Sequence, residues 1–302
     1  VVKPARVPSG AQVALVSPSS RVGKAEIERA EDNVRAMGLE PVRLPNVGKQ
    51  HGFFAGTDAE RAADLNQAFR DPKFAMIWCI RGGYGAARLL PLLDWEAIRK
   101  SPKALLGFSD ITALHLGLWK RVGLVCFHGP NATSCNTSFE RDAVAQALMS
   151  HDPIGPLPLP SNAPNPYSLT PGTAEGRLLG GNLAVLSSLI GTEWMPSAKG
   201  ALLFFEDVSE APYRIDRFLN QVRQSGLMGE AAGLALGRFT RCDEADPESP
   251  WKVADVLKNL SPGVPAAADL PFGHVAEQGV LPIGVRARLS GAALQILESG
   301  VQ

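Results

Sequence analysis

Chemistry is first suggested at Leu105-Leu106-Gly107-Phe108-Ser109-Asp110-Ile111-Thr112, where an apolar run stops at Gly-x-Ser and passes at once into a helix-like stretch. Such a strand-to-helix turn lifts a serine hydroxyl above a sheet, at the positive end of a helix, where a nucleophile can be activated. The amide of Asp110 would then face an oxyanion. The second glycine of G-x-S-x-G is missing, since Ile111 stands there. The competing reading is that Ser109 or Asp110 merely caps the helix. A second segment, Ile80-Arg81-Gly82-Gly83-Tyr84-Gly85, carries an apolar strand pattern into a glycine-rich loop. It completes neither G-x-x-x-x-G-K-[ST] nor G-x-G-x-x-G, so nucleotide binding is not indicated. Beside Ser109 at one edge of a parallel sheet, the Gly83 amide could supply a second oxyanion donor. The alternative is a tight turn.

A serine nucleophile needs a base, and the base an orienting acid. Of the five histidines, His51 and His151 fall in polar loops and His115 inside a helical stretch. His128, in Phe127-His128-Gly129-Pro130, and His274, in Pro271-Phe272-Gly273-His274-Val275, both sit where a cleft could form. Position alone does not choose between them. Glu206 and Asp207 end an apolar strand, and either could serve as the acid or cap the turn that follows. Arg81 could meet a substrate carboxylate or pair with a structural one. A cysteine hydrolase of amidotransferase type, with Cys79 as nucleophile, is a further alternative, but Cys79 lies within an apolar strand, as structural thiols do. Cys79, Cys126, Cys135 and Cys242 make no C-x-x-C pair and have no zinc spacing, so no metal is expected and a reducing, cytoplasmic setting is the default.

The elements that must position these residues alternate in the first half. Strands are expected at Gln12–Ser17, Pro41–Leu44, Phe74–Ile80, Ala104–Phe108 and Leu124–Phe127. Helices fall between them, at Lys24–Met37, from the capping box at Thr57 and Glu60 through Phe69, and at Asp110–Arg121. That order implies an α/β fold, a Rossmann- or flavodoxin-like parallel sheet over residues 1–150. A Pro-rich stretch at 151–173 reads as a linker. Residues 174–302 read as a smaller mixed α/β domain rich in strands, with a helix at Gly181–Ile190, another at Pro212–Ser225, and a strand-like end from Val280 to Leu297. The chain has 302 residues, 30 basic against 30 acidic, so no whole-protein field draws nucleic acid or an anionic membrane. No apolar stretch is long enough to span a bilayer. Glycine (30) and proline (24) are in surplus, as expected where backbone must turn or approach closely.

Taken together, several blocks resemble the LD-carboxypeptidases, the serine peptidase family that includes the microcin immunity peptidase. Arg81-Gly82-Gly83-Tyr84-Gly85 with Asp94-Trp95 is similar to the family's glycine loop, and Gly107-Phe108-Ser109-Asp110 to its nucleophile turn, where Asp follows the serine. His128-Gly129-Pro130, Gly180-Gly181-Asn182, Glu206-Asp207 with Tyr213-Arg214, and Phe272-Gly273-His274 follow in family order. The resemblance implies a Ser109–Glu206–His274 triad with the site between the two domains. Gly83 and Asp110 would serve the oxyanion, and Arg81, Asn182 and His128 would line the substrate. It implies no metal or organic cofactor. It implies removal of terminal D-alanine from a murein tetrapeptide, by a homodimer, or in the immunity branch cleavage of an aminoacyl-nucleotide amide. A different-class alternative is a non-catalytic module that binds a small anionic ligand.

Overall fold

The computed structural model describes residues 1–302. In the first half β1 (Gln12–Val16), α1 (Lys24–Ala36), β2 (Glu40–Arg43), α2 (Asp58–Arg70), β3 (Phe74–Cys79), α3 (Trp95–Lys100), β4 (Ala104–Gly107), α4 (Thr112–Val122), β5 (Cys126–His128) and α5 (Ser138–Met149) follow one another. β1 to β5 are parallel, in the order β2-β1-β3-β4-β5. This is the flavodoxin-like winding, and its direction reverses between β1 and β3, where a crevice opens beyond the carboxyl ends of the strands. The local causes are plain. β3 is apolar throughout because helices cover both faces of a parallel sheet. α2 starts at a capping box in which Thr57 Oγ1 accepts the Glu60 N–H at 3.2 Å and Glu60 Oε2 accepts the Thr57 N–H at 2.9 Å. The glycine loop leads into a 3₁₀ turn at Ala86–Leu92, interrupted by Pro91, rather than into an α-helix.

The second half contains β6 (Gly155–Pro156), β7 (Tyr167–Thr170), β8 (Thr173–Asn182), α6 (Leu183–Leu189), β9 (Ala201–Val208), α7 (Pro212–Gln224), α8 (Leu227–Glu230), β10 (Gly233–Thr240), α9 (Val253–Asn259), β11 (Ala266–Ala268), β12 (Leu281–Ile283), β13 (Arg286–Ser290) and β14 (Ala293–Ile296). Eight of these strands form a second sheet ordered β6-β14-β13-β8-β9-β10-β11-β7, parallel from β8 to β11 and antiparallel elsewhere.

Two features depart from the sequence reading. The Pro-rich stretch 151–173 is not a free linker, because β6 and β7 lie within it and pair with β14 and β11. Both occupy the outer edges of the second sheet, where a residue lacking an N–H leaves no neighbour unbonded. The strand-like end is divided between the sheets. β12 runs antiparallel to β5 and closes the first sheet, while β13 and β14 join the second. One apolar core therefore continues through both halves. No helix is long and apolar enough to cross a membrane.

Candidate active site

β3 and β4 are neighbours, so the loops leaving their carboxyl ends lie side by side. After β4 the chain turns at Ser109 with φ of +65° and enters a 3₁₀ turn, Ser109–Ile111, that runs into α4. A non-glycine residue held in that left-handed region costs roughly 1–3 kcal/mol and persists only where its surroundings enforce it. Here the enforcement is visible. The buried Asp110 carboxylate accepts from Ser19 Oγ at 2.6 Å and from the Ala86 N–H at 2.8 Å. It thereby ties the turn to the loops after β1 and β3. Burial pushes its pKa up, against the pull of those two hydrogen bonds. From the loop after β5, Asn131 Oδ1 accepts the Phe108 N–H at 3.3 Å. Neither Ser109 nor Asp110 caps α4, so the competing cap reading does not hold.

The second sheet brings the remaining groups. Asn182, at the end of β8, is in register with Glu206 on β9. Its N–H donates to Thr112 Oγ1 at 2.9 Å, and Gly181 lies so close that a Cβ there would overlap the Thr112 side chain. β8 is thus pressed against the first turn of α4, three residues beyond Ser109. His274 stands in the loop between β11 and β12. Its Nδ1 lies 2.7 Å from Glu206 Oε2 and its Nε2 3.1 Å from Ser109 Oγ. An ionised carboxylate only accepts, so Nδ1 carries the proton and Nε2 is free to receive the one on Ser109 Oγ. Glu206 is fully buried, the His274 side chain is 21% exposed, and the Phe108 ring packs 4.7 Å from the imidazole. The result is a hydroxyl–imidazole–carboxylate relay buried at its carboxylate end and partly exposed at its imidazole and serine.

The glycine loop comes closest to Ser109 at Gly82. A Cβ on Gly82 would stand 2.9 Å from Ser109 Cβ and 3.2 Å from its Oγ. A Cβ on Gly83 would overlap the Ser20 side chain, and the Gly83 N–H donates to no acceptor within the protein. Gly82→Ala is therefore expected to displace Ser109 and cut kcat/KM by about 100-fold, since ångström-scale misplacement of a reacting group costs that much. Steady-state kinetics beside a thermal melt would separate this from unfolding.

Other residues singled out in the sequence lie elsewhere. His128 is fully buried and its ring nitrogens have no partners, so it cannot line a substrate cleft. It is walled by the rings of Phe108, Phe204 and Phe272. Burial, helped by His115 and His274 nearby, holds its pKa well below the ordinary value. Asn182 is also buried and committed, its Oδ1 accepting the Val185 N–H at 3.1 Å and its Nδ2 donating to Asp207 Oδ1 at 2.9 Å. It caps α6 and does not face the substrate space. Arg81 pairs with Glu26 at 3.0 Å. Asp207 stands apart from the relay, its carboxylate also accepting the Ala184 and Val208 N–H groups at 2.9 Å. Burial and the adjacent Glu206 push it up to about 6. Cys79 is fully buried, which pushes its thiol up and leaves no route to a substrate. Sequence reasoning missed Ser19, Gly82 and Asn131. Only the Pro18-Ser19-Ser20 turn after β1 hinted at the first.

Comparison with known proteins finds relatives over nearly the whole chain. The family profile described as the LD-carboxypeptidase N-terminal domain matches residues 13–129, and that of the LD-carboxypeptidase C-terminal domain matches 175–289. A Streptomyces coelicolor protein carrying a carboxypeptidase name is 42% identical over 96% of this chain and 93% of its own. The murein tetrapeptide carboxypeptidase of Pseudomonas aeruginosa is 33% identical over 95% of this chain and 96% of its own. The wild-type microcin C7 self immunity protein MccF superposes with a TM-score of 0.91 over 100% of both chains, at 24% identity, a likeness of fold.

Proposed function

The chain belongs to the LD-carboxypeptidase family of serine-type carboxypeptidases, and on that premise we propose that it releases terminal D-alanine from murein tetrapeptides, cleaving the amide that joins it to an L-centred diamino acid. The observation that carries this reading is the Ser109–His274–Glu206 relay set on a left-handed strand-to-helix turn. The substrate class is supported by the name of the 33% identical Pseudomonas aeruginosa relative. In this reading Ser109 Oγ attacks the scissile carbonyl while His274 Nε2 takes its proton. Glu206 holds the imidazole in the productive tautomer and balances the imidazolium that forms. The amides of Gly83 and Asp110 receive the oxyanion, a donor of this kind being worth about 2.7–4 kcal/mol in other hydrolases. His274 then passes the proton to the departing amine of D-alanine. A water, deprotonated by the same imidazole, releases the acyl group and restores Ser109.

The reading extends to the setting. Work in the cytoplasm on wall fragments is supported by four buried, unpaired cysteines. Assembly as a homodimer belongs to the same proposal and is checked by light scattering. For the activity, the protein is incubated with a murein tetrapeptide and the product followed by mass. Loss of one D-alanine is the expected result, with an aminoacyl-nucleotide amide in parallel. Cleavage of that amide alone would move the chain to the immunity branch, and cleavage of neither would sink the assignment.

A further inference from the structure

Arg61, on α2, is the one buried arginine of the chain, and none of its side chain is exposed. Its Nη2 donates to Asp58 at the start of the helix, and Asp58 in turn meets Arg88 at 2.7 Å. Its Nη1 donates away from the helix to two backbone carbonyls. One is Pro18, in the loop after β1, and the other is Gly85, in the glycine loop, at 3.1 Å. The Phe54 ring covers the guanidinium at 4.7 Å. Gly85, at φ +122°, approaches both only because it lacks a side chain, since a Cβ there would stand 2.7 Å from the ring and 2.8 Å from Nη1. A buried ion pair is a weak source of stability, because apolar side chains of like volume often do as well. What an apolar side chain cannot do is hold two carbonyls with one rigid fork. The two loops it holds also surround the relay, and they are stitched together nearby. The Ser20 N–H donates to the Gly82 carbonyl at 3.3 Å, and Ser20 Oγ accepts the Tyr84 N–H at 3.1 Å. Ser19 Oγ and the Ala86 N–H meet on Asp110. Gly83 lies between the first two stitches, and Gly82 lies against Ser109. The Arg61 charge also reaches Asp110, drawing its pKa down against burial.

We propose that Arg61 is a positioning residue for the oxyanion: by holding the Pro18 and Gly85 carbonyls together it fixes the glycine loop, and so aims the Gly83 amide at the carbonyl that Ser109 attacks. The proposal rests on the function given above, with Gly83 as an oxyanion donor, and deepens it. Without the fork the loop keeps its ties at Gly82, Tyr84 and Ala86 but loses its anchor at Gly85, two residues beyond the amide in question. The peptide that carries the Gly83 N–H is then free to tilt. A bound substrate loses little by this, because its carbonyl is still neutral. The oxyanion loses much, because its charge develops only in the transition state. Arg61 therefore acts on rate and not on substrate affinity.

The test compares the native protein with Arg61→Lys, which keeps the charge but replaces the fork with a point donor. Cleavage of a murein tetrapeptide gives kcat/KM. A peptide boronate, with boron in place of the scissile carbonyl carbon, forms a tetrahedral adduct with Ser109 and reports the oxyanion. The Kd of the uncleaved tetrapeptide, measured by calorimetry on a Ser109→Ala background, reports the ground state. Arg61→Lys should lower kcat/KM and weaken the boronate by a common factor of about 10- to 100-fold, while the tetrapeptide Kd stays within about threefold. A kcat/KM within about threefold of native would overturn the proposal, and so would a tetrapeptide Kd that weakens as much as the boronate does. Asp58→Asn, at the partly exposed end of the same ion pair, decides the question where Arg61→Lys does not fold. A loss of about three- to tenfold in kcat/KM at unchanged tetrapeptide Kd is expected of it, and no loss overturns the proposal. A native protein that cleaves no tetrapeptide overturns the parent function, and this assignment with it.

Discussion

Ser109→Ala should lower kcat for D-alanine release by about four to six orders of magnitude, with the fold intact. The size follows from the way such relays act as a unit, in which loss of the nucleophile removes nearly all that the three groups supply together. The fold is expected to survive because Ser109 contributes little packing. It sits at φ +65°, and its hydroxyl bonds only to a partly exposed imidazole. The same backbone angle separates two substitutions that are equally inactive. Ser109→Gly removes the Cβ that disfavours a left-handed residue, so it should be more stable than Ser109→Ala by roughly 1 kcal/mol. Product release followed by mass gives the first result and thermal melts give the second. Turnover of Ser109→Ala within tenfold of the native protein would rule Ser109 out as nucleophile, and equal melting of the two variants would show that the turn carries no strain.

How much of this was readable beforehand depended on whether the cause was local. The unbroken apolar run Phe74–Cys79 announced a strand covered on both faces, and Thr57 with Glu60 announced the start of α2, because both signals lie within one element. The Gly107-Phe108-Ser109 turn was legible for the same reason. The pairings that assemble the site span the chain, and nothing local encodes them. His128 and His274 looked alike in sequence. In the structure one packs among three phenylalanines while the other reaches Ser109 across 165 positions. The choice of His274 and Glu206 came from resemblance, not from periodicity. Arg81 looked like a substrate cation because its partner Glu26 lies 55 residues earlier, and Asn182 looked accessible because its ties to Thr112 and Asp207 are tertiary. The Pro-rich stretch misled differently. Proline frequency argues against a central strand, but edge strands satisfy the same constraint, and only the sheet order reveals the edge.

Glu206 and Asp207, adjacent on β9, should separate rate from stability when changed one at a time. Glu206→Gln keeps the shape of the side chain, so little change in Tm is expected. Its amide can turn an NH₂ towards His274 Nδ1, which then must accept, leaving the proton on Nε2 facing Ser109 Oγ. A base that already holds its proton cannot take another, and kcat should fall by about 10³- to 10⁴-fold, as wrong-tautomer variants of other serine hydrolases do. Asp207→Ala should leave kcat/KM within about tenfold but cost about 1–3 kcal/mol, because the donors on Asn182, Ala184 and Val208 lose their acceptor in a buried place. Its signature lies in pH. The folded pKa of about 6 stands above the ordinary 3.8, so the folded state binds this proton more tightly than the unfolded chain does. The stability it contributes is therefore complete below about pH 4 and is lost as pH rises through about 6. The variant lacks that decline, and the Tm gap between it and the native protein should narrow from pH 4 to pH 7. A gap that widens over that range would mean that Asp207 is held ionised, and a Glu206→Gln enzyme of near-native rate would remove Glu206 from the relay.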